Sequence, residues 1–194
     1  MKNIPMTNKR TYSQGQIYHI YNRGVRKEPI FHDHQDFQFF IKRLENIIKK
    51  CEFNLLCYCL MPNHFHLCLQ QCSKISLSQV MHRLNVSYAM YYNNKYKTVG
   101  HVFQGRFKFK YVNTDAYLFY LSLYIHNNPN EFGQNKPEHY LYSSAQEYIN
   151  TNFKYPICTG KQIILNGTNA ADYKLSLGTF RSKKQHKEFN NLFE

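Results

Sequence analysis

The stretch between residues 53 and 70 constrains the fold most. FNLLCYCL (53–60) is almost continuously apolar, HFHLCLQ (64–70) is rich in β-favouring residues, and only Met61-Pro62-Asn63 separates them. Two such runs joined so tightly read as a hairpin of two buried strands. Pro62, which has no N–H to give a ladder, fits only in the turn.

The flanking segments extend this hairpin into a sheet with helices. Residues 16–22 (QIYHIYN) form a first strand before the turn-like Arg23-Gly24. From Asp33 to Lys50, Phe37, Phe40, Ile41, Leu44, Ile47 and Ile48 recur at spacings of three and four, a helix with Asp33 as its N-cap. Ser76 caps a second helix through Leu77, Val80, Met81, Leu84, Tyr88 and Tyr91, expected to end near Asn94. Residues 102–112 alternate aromatics with Arg106, Lys108 and Lys110, which predicts a fourth strand with one basic face. A third helix begins at Thr114-Asp115 and runs through Tyr117, Tyr120, Leu121, Tyr124 and Ile125, with Asn127-Asn128-Pro129 expected to stop it. The first six elements match the split βαβ pattern of an α+β, ferredoxin-like βαββαβ sheet with helices on one face, followed by a further helix. A short helix is expected at 143–150. After Pro156 the pattern weakens, and 181–187 reads as a charged tail; residues 12–150 form one domain and 151–194 a partly mobile extension.

The charge of the chain selects its partners. Its 194 residues carry 25 Lys and Arg against 12 Asp and Glu, a formal charge of +13, and no acidic residue falls between Glu52 and Asp115. That central stretch is the anion-facing part of the chain, and a polyanion or an anionic surface is the leading class of partner. No run of about 18 apolar residues is present to span a bilayer, and residues 1–11 lack the apolar centre of a secretory signal, so a cytoplasmic protein is expected. Six cysteines without a CxxC pair suit reduced core thiols. The 17 Tyr and 15 Phe fill the core first, and those beside basic residues could also stack on unpaired bases.

Two pairs of residues carry candidate chemistry. His64 and His66 lie two apart on a strand, project from one face and could reach one metal ion, although such a pair also serves packing or hydrogen bonding. Tyr124 and Asn128 lie four apart on a helix, which stacks a phenol and an amide about one turn apart. Their ordinary reading is core packing and a helix stop. Two imidazoles and an amide oxygen would leave positions open on a divalent cation such as Mg²⁺ or Mn²⁺ for phosphate oxygens and water.

Five motifs in order decide between these readings: Tyr18-His19-Ile20 with Asn22-Arg23-Gly24, Pro29-Ile30-Phe31, Met61-Pro62-Asn63-His64-Phe65-His66-Leu67, Phe103-Gln104-Gly105-Arg106-Phe107-Lys108, and Tyr124-Ile125-His126-Asn127-Asn128-Pro129. Over residues 12–150 the chain resembles the REP-associated tyrosine transposases, insertion-sequence-like enzymes of the HUH superfamily. The resemblance implies a ferredoxin-like catalytic domain in which His64, His66 and Asn128 bind Mg²⁺ or Mn²⁺. It implies that Tyr124 forms a 5′-phosphotyrosine bond and frees a 3′-hydroxyl. It also implies a substrate of single-stranded DNA carrying palindromic hairpins, association with the nucleoid when bound, and action as a monomer or homodimer. Arg106, Lys108 and Lys110, together with Arg23, are the expected phosphate contacts. Asn127 and Asn130-Glu131-Phe132 depart from the family's usual residues beside the Asn-Pro, and the strand entry Gly15-Gln16-Ile17 lacks its common threonine. Two further readings are a non-catalytic ferredoxin-like module binding single-stranded nucleic acid, and a hydrolytic metal nuclease with Tyr124 merely packed.

Overall fold

The structure, a computed structural model, describes residues 14–131 and 136–180. Strand β1 (Ile17–Arg23) is followed by α1 (His34–Cys51), the hairpin β2 (Phe53–Met61) and β3 (His64–Gln71), α2 (Leu77–Tyr96), β4 (Lys108–Val112) and α3 (Asp115–Glu131). Three short helices complete the order: α4 (Ala145–Ile149), α5 (Lys161–Leu165) and α6 (Ala170–Thr179). The sheet runs β2-β3-β1-β4, and its three neighbouring pairs are antiparallel. The α+β, ferredoxin-like arrangement expected from the element order is the one observed. Among the described residues, no helix is long and apolar enough to cross a membrane.

Side chains alternate across the sheet, so each strand feeds two cores. Tyr18, Ile20, Tyr58, Leu60, Phe65, Leu67 and Leu69 pack with α1 and α2 on one face. Cys57, Cys59, Cys68 and Val112 pack with Leu118, Leu121, Leu123 and Ile125 of α3 on the other. An irregularity between Leu55 and Cys57 in the β2–β3 register turns both Leu56 and Cys57 toward the α3 face. The six cysteines are free thiols, five of them buried.

The helix starts follow the sequence. Asp33 and Ser76 cap α1 and α2, each in a reciprocal capping box. Helix α2 runs two residues past the expected end, to Tyr96, before Lys97 adopts a left-handed conformation. Across the α1–α2 seam, Lys95 Nζ lies 2.7 Å from the fully buried Asp36 carboxylate and 2.8 Å from Asp33. Burial alone would raise the Asp36 pKa, but donors from Lys95, Tyr96, the His32 N–H and Tyr91 outweigh it and hold the carboxylate below its ordinary value. Lys95 is thereby withdrawn from the basic central stretch, whose cations lack carboxylates along the sequence but, for Lys95, not in space.

Two expectations need correction. The fourth strand starts at Lys108, not at 102. Residues 102–105 instead meet the end of β1 and the residues just after it, where Val25 N–H bonds Val102 O, Gln104 N–H bonds Arg23 O and Asn22 Nδ2 bonds Gly105 O. Helix α3 does not stop before Pro129 but includes it and runs to Glu131. In that position the proline costs one hydrogen bond in the last turns, and the rest of the helix is undisturbed. Among the weakly patterned residues after Pro156, Ile164, Leu165, Tyr173, Leu177 and Phe180 are buried in the core beneath α3. The expected charged tail at 181–187 lies outside the described residues.

A buried polar cluster fixes α3 on the sheet. His126 is fully buried, with Nδ1 2.8 Å from the Tyr173 hydroxyl and Nε2 2.8 Å from Ser144 Oγ. Ser144 Oγ in turn accepts the Tyr58 N–H of β2, and Tyr173 donates to Ser122 Oγ. Burial lowers the His126 pKa from 6.5 to about 3. The unfolded chain takes up a proton below about pH 6.5 that the folded chain refuses, so this stability is present above that pH and lost on acidification. We predict that His126→Gln reduces the drop in unfolding free energy between pH 7 and pH 5 by about 2 kcal/mol, read by urea denaturation at the two pH values. An unchanged pH dependence would contradict the neutral buried imidazole.

Candidate active site

The β2–β3 turn is clamped by the segment that follows β1. Gly24 N–H donates to Asn63 O at 2.8 Å, and the Ile30 and Phe31 N–H groups both donate to Pro62 O, at 2.7 and 2.9 Å. This packing brings Asn22-Arg23-Gly24, Pro29-Ile30-Phe31 and Pro62-Asn63 together. Gly24 has no room for a side chain, since a Cβ there would stand 2.1 Å from Glu28 O. Arg26 and Lys27 take left-handed φ values of 54° and 67° within the same clamp, and Lys27 O accepts Asn63 Nδ2 at 3.1 Å.

That contact orients the first histidine. With its amide nitrogen on Lys27 O, Asn63 turns Oδ1 toward His64 Nδ1, 2.7 Å away. An amide oxygen only accepts, so Nδ1 of His64 carries a proton, and in the neutral form of the ring the lone pair is on Nε2. That Nε2 lies 3.2 Å from Asn128 Oδ1. Asn128 is fixed in the same manner, because its Nδ2 donates to Tyr124 O at 3.2 Å and its oxygen therefore faces His64. In the neutral form of His64 two lone-pair atoms face each other there.

His64 and His66 lie on one face of β3 with ring centroids 5.3 Å apart. The Tyr124 ring stands edge-on to His66, centroid to centroid 5.6 Å and 82° between planes. His66 Nδ1 lies 2.9 Å from Nε2 of His19, a β1 residue. His64, His66, Tyr124 and Asn128 are thus gathered by one helix docked over one strand, and the same-face and one-turn spacings expected of the two pairs are both observed. Among the described residues, no three His, Cys, Asp or Glu side chains are grouped to hold a metal ion, so a donor set here draws on the amide of Asn128.

Two clefts flank the cluster and meet at Tyr21 and His66. The larger, about 670 Å³, is lined by Arg23, Lys27, Asn63, His64, Gln104, Arg106 and Lys108 among others. The smaller, about 260 Å³, lies against Tyr124 with His19, Lys110, Tyr117 and Tyr120. The structure therefore places Arg23, Arg106 and Lys108 in one cleft and Lys110 in the other. Arg23 Nε donates to Gln104 Oε1. Phe107 and Phe109 pack against the α1–α2 core, while Tyr111 is half exposed beside Tyr18. Sequence reasoning assigns no site role to Asn63, Lys27, Gln104, His19 or Tyr21. Asn63, His19 and Gln104 stand inside the quoted motifs, which is the one available signal.

Comparison with known proteins identifies the family. The model of the IS200-like transposases matches residues 12–128, ending on Asn128. The chain belongs to the IS200-like transposase family. Among solved structures, this transposase is similar in fold to a REP-associated tyrosine transposase bound to a REP hairpin, with a TM-score of 0.60 and 15% identity over 80% of this chain and 90% of that one. A candidate transposase from Deinococcus radiodurans R1 matches with a TM-score of 0.45 and 17% identity over 63% and 97% of the two chains. No curated protein matches.

The clamp around the transposase's histidine-bearing turn yields a prediction. Gly24→Ala forces a Cβ into the Glu28 carbonyl and is expected to destabilise the fold by about 1–3 kcal/mol, measured as a lowered denaturation midpoint. A wild-type midpoint would show that the loop yields without cost.

Proposed function

We propose that this transposase cleaves and rejoins single-stranded, hairpin-bearing DNA through a 5′-phosphotyrosine bond at Tyr124, with a divalent metal held by His64, His66 and Asn128. The observation that carries the reading is the 3.2 Å approach of His64 Nε2 to Asn128 Oδ1. Hydrogen bonds to backbone carbonyls orient Asn63 and Asn128 so that no proton lies between these two acceptors when His64 is neutral. A cation held by His64, His66 and Asn128 would relieve that contact. Two imidazoles and an amide oxygen suit Mg²⁺ or Mn²⁺ with open positions for substrate.

When bound, the metal polarises the phosphoryl group and offsets charge on the leaving oxygen. The chain's own residues do the rest. Tyr124, held by α3 against His66, loses its phenolic proton and attacks the phosphorus, forming a Tyr–O–P bond as the P–O3′ bond breaks and the 3′-oxygen leaves to become a hydroxyl. Attack by a 3′-hydroxyl on the phosphotyrosine then restores a phosphodiester and returns the phenol. The number of phosphoester bonds is conserved at each step, so no nucleotide cofactor is required. Arg23, Arg106 and Lys108 in the larger cleft, and Lys110 in the smaller, neutralise phosphates on either side of Tyr21 and His66.

Incubation with hairpin-bearing single-stranded DNA and Mn²⁺ is expected to give a covalent adduct on a denaturing gel for wild type and none for Tyr124→Phe or His64→Ala. An adduct persisting in Tyr124→Phe sinks the nucleophile assignment, and cleavage without any adduct indicates a hydrolytic nuclease. Arg106→Ala and Lys108→Ala should each weaken binding to different single strands alike and reduce the slope of log K against log salt by about 0.7 for each phosphate no longer neutralised. An unchanged slope in both variants would remove these residues from the DNA path.

A further inference from the structure

His19 is a third histidine on the sheet, one strand away from the His64–His66 pair. It sits on β1, near-parallel to His66, with ring centroids 5.1 Å apart and 21° between planes. Both rings are buried. The Tyr21 ring at 5.2 Å and the edge-on Tyr124 ring at 6.3 Å frame it. The 2.9 Å bond between His19 Nε2 and His66 Nδ1 has a consequence for His66.

A hydrogen bond between two neutral imidazoles needs an N–H on one ring and a lone pair on the other. If His19 supplies the proton, His66 must carry its own on Nε2 and cannot use that nitrogen as a ligand. If His66 supplies it, Nε2 of His66 keeps its lone pair. Asn63 forces the equivalent choice on His64, leaving Nε2 available. We propose that His19 is the positioning residue of His66: its Nε2 accepts the Nδ1–H of His66, so the imidazole presents Nε2 as a metal ligand in a fixed ring orientation. This rests on the metal site proposed above, and it deepens that site by one shell. Metal-bound histidines in general anchor their second nitrogen on an acceptor, and loss of such an anchor costs about 10–100-fold in metal affinity. The two anchors here differ in origin: Asn63 comes from the hairpin turn, His19 from the neighbouring strand.

The choice of substitution follows from reach. Glutamine places an amide oxygen as many bonds from Cα as Nε2 of histidine, so His19→Gln keeps an acceptor for His66, whereas His19→Leu fills the space and removes it. Mn²⁺ binding to the DNA-free protein, followed by calorimetry, is expected to weaken about 10–100-fold in His19→Leu and to stay within about threefold of wild type in His19→Gln. In parallel, long-range ¹H–¹⁵N correlation spectra of the metal-free wild type should show His66 protonated on Nδ1, a readout that requires no variant to fold. Wild-type affinity in His19→Leu, or His66 protonated on Nε2, overturns the proposal. If His66→Ala binds Mn²⁺ as well as wild type does, the metal site itself is wrong and the role of His19 falls with it. Loss in His66→Ala with full binding in His19→Leu overturns the role of His19 alone.

Discussion

Apolar contact alone would leave α3 free to settle at several positions along the sheet face that carries the histidines. The buried His126 cluster removes that freedom. Its imidazole must satisfy both nitrogens away from water, and the partners at 2.8 Å come from α6 and from the segment before α4, itself bonded to β2. Any shift of α3 along or around its axis would leave buried polar groups unpaired, at about 1–3 kcal/mol each. Tyr124 and Asn128, the proposed nucleophile and metal ligand, are two positions to either side of His126, so fixing it fixes both on the sheet-facing side of the helix. The same anchor gives helix α6 a part in positioning α3. Tyr173 and the Asn127 contact to Leu177 O tie α3 to it from behind.

At the opposite end of the site, the β2–β3 turn is held just as firmly. Residues 24–31 wrap it through backbone hydrogen bonds, and the Lys27 carbonyl, raised by a left-handed residue, aligns Asn63 on His64. The site is thus assembled from two independently anchored parts, a turn carrying His64 and a helix carrying Tyr124 and Asn128, which meet across the 3.2 Å His64–Asn128 contact. Around them the clefts carry Arg23, Lys27, Arg106 and Lys108 on one side and Lys110 on the other, while Asp33 and Asp36 are paired with Lys95 at the α1–α2 seam. A polyanion would therefore meet cations in both clefts.

Much of this was legible in the sequence where the signal is local. The hairpin, the capped starts of α1 and α2 and the one-turn spacing of Tyr124 and Asn128 follow from periodicity and capping chemistry acting over a few residues. The strand over 102–112 was legible only in part, because alternation continues through residues that bond to the end of β1 and the chain just after it without forming a regular ladder. Pro129 read as a stop because the penalty before a proline is local, while the tertiary contacts that carry the helix past it are not. Helices of five residues, such as α5, offer no period to detect. The roles of His126, Asn63 and His19 depend on partners 18, 36 and 47 residues away in sequence, and no spacing rule reports such contacts. The ordered motifs marked all three as special without saying what each touches.

The proposed cation site joins His64, His66 and Asn128 beside Tyr124. Anomalous diffraction from crystals of the full chain grown with Mn²⁺ locates the ion independently of activity. A single strong peak in contact with His64 Nε2, His66 Nε2 and Asn128 Oδ1 is expected. A peak elsewhere on the chain, or one that engages the histidines while Asn128 turns away, would contradict it.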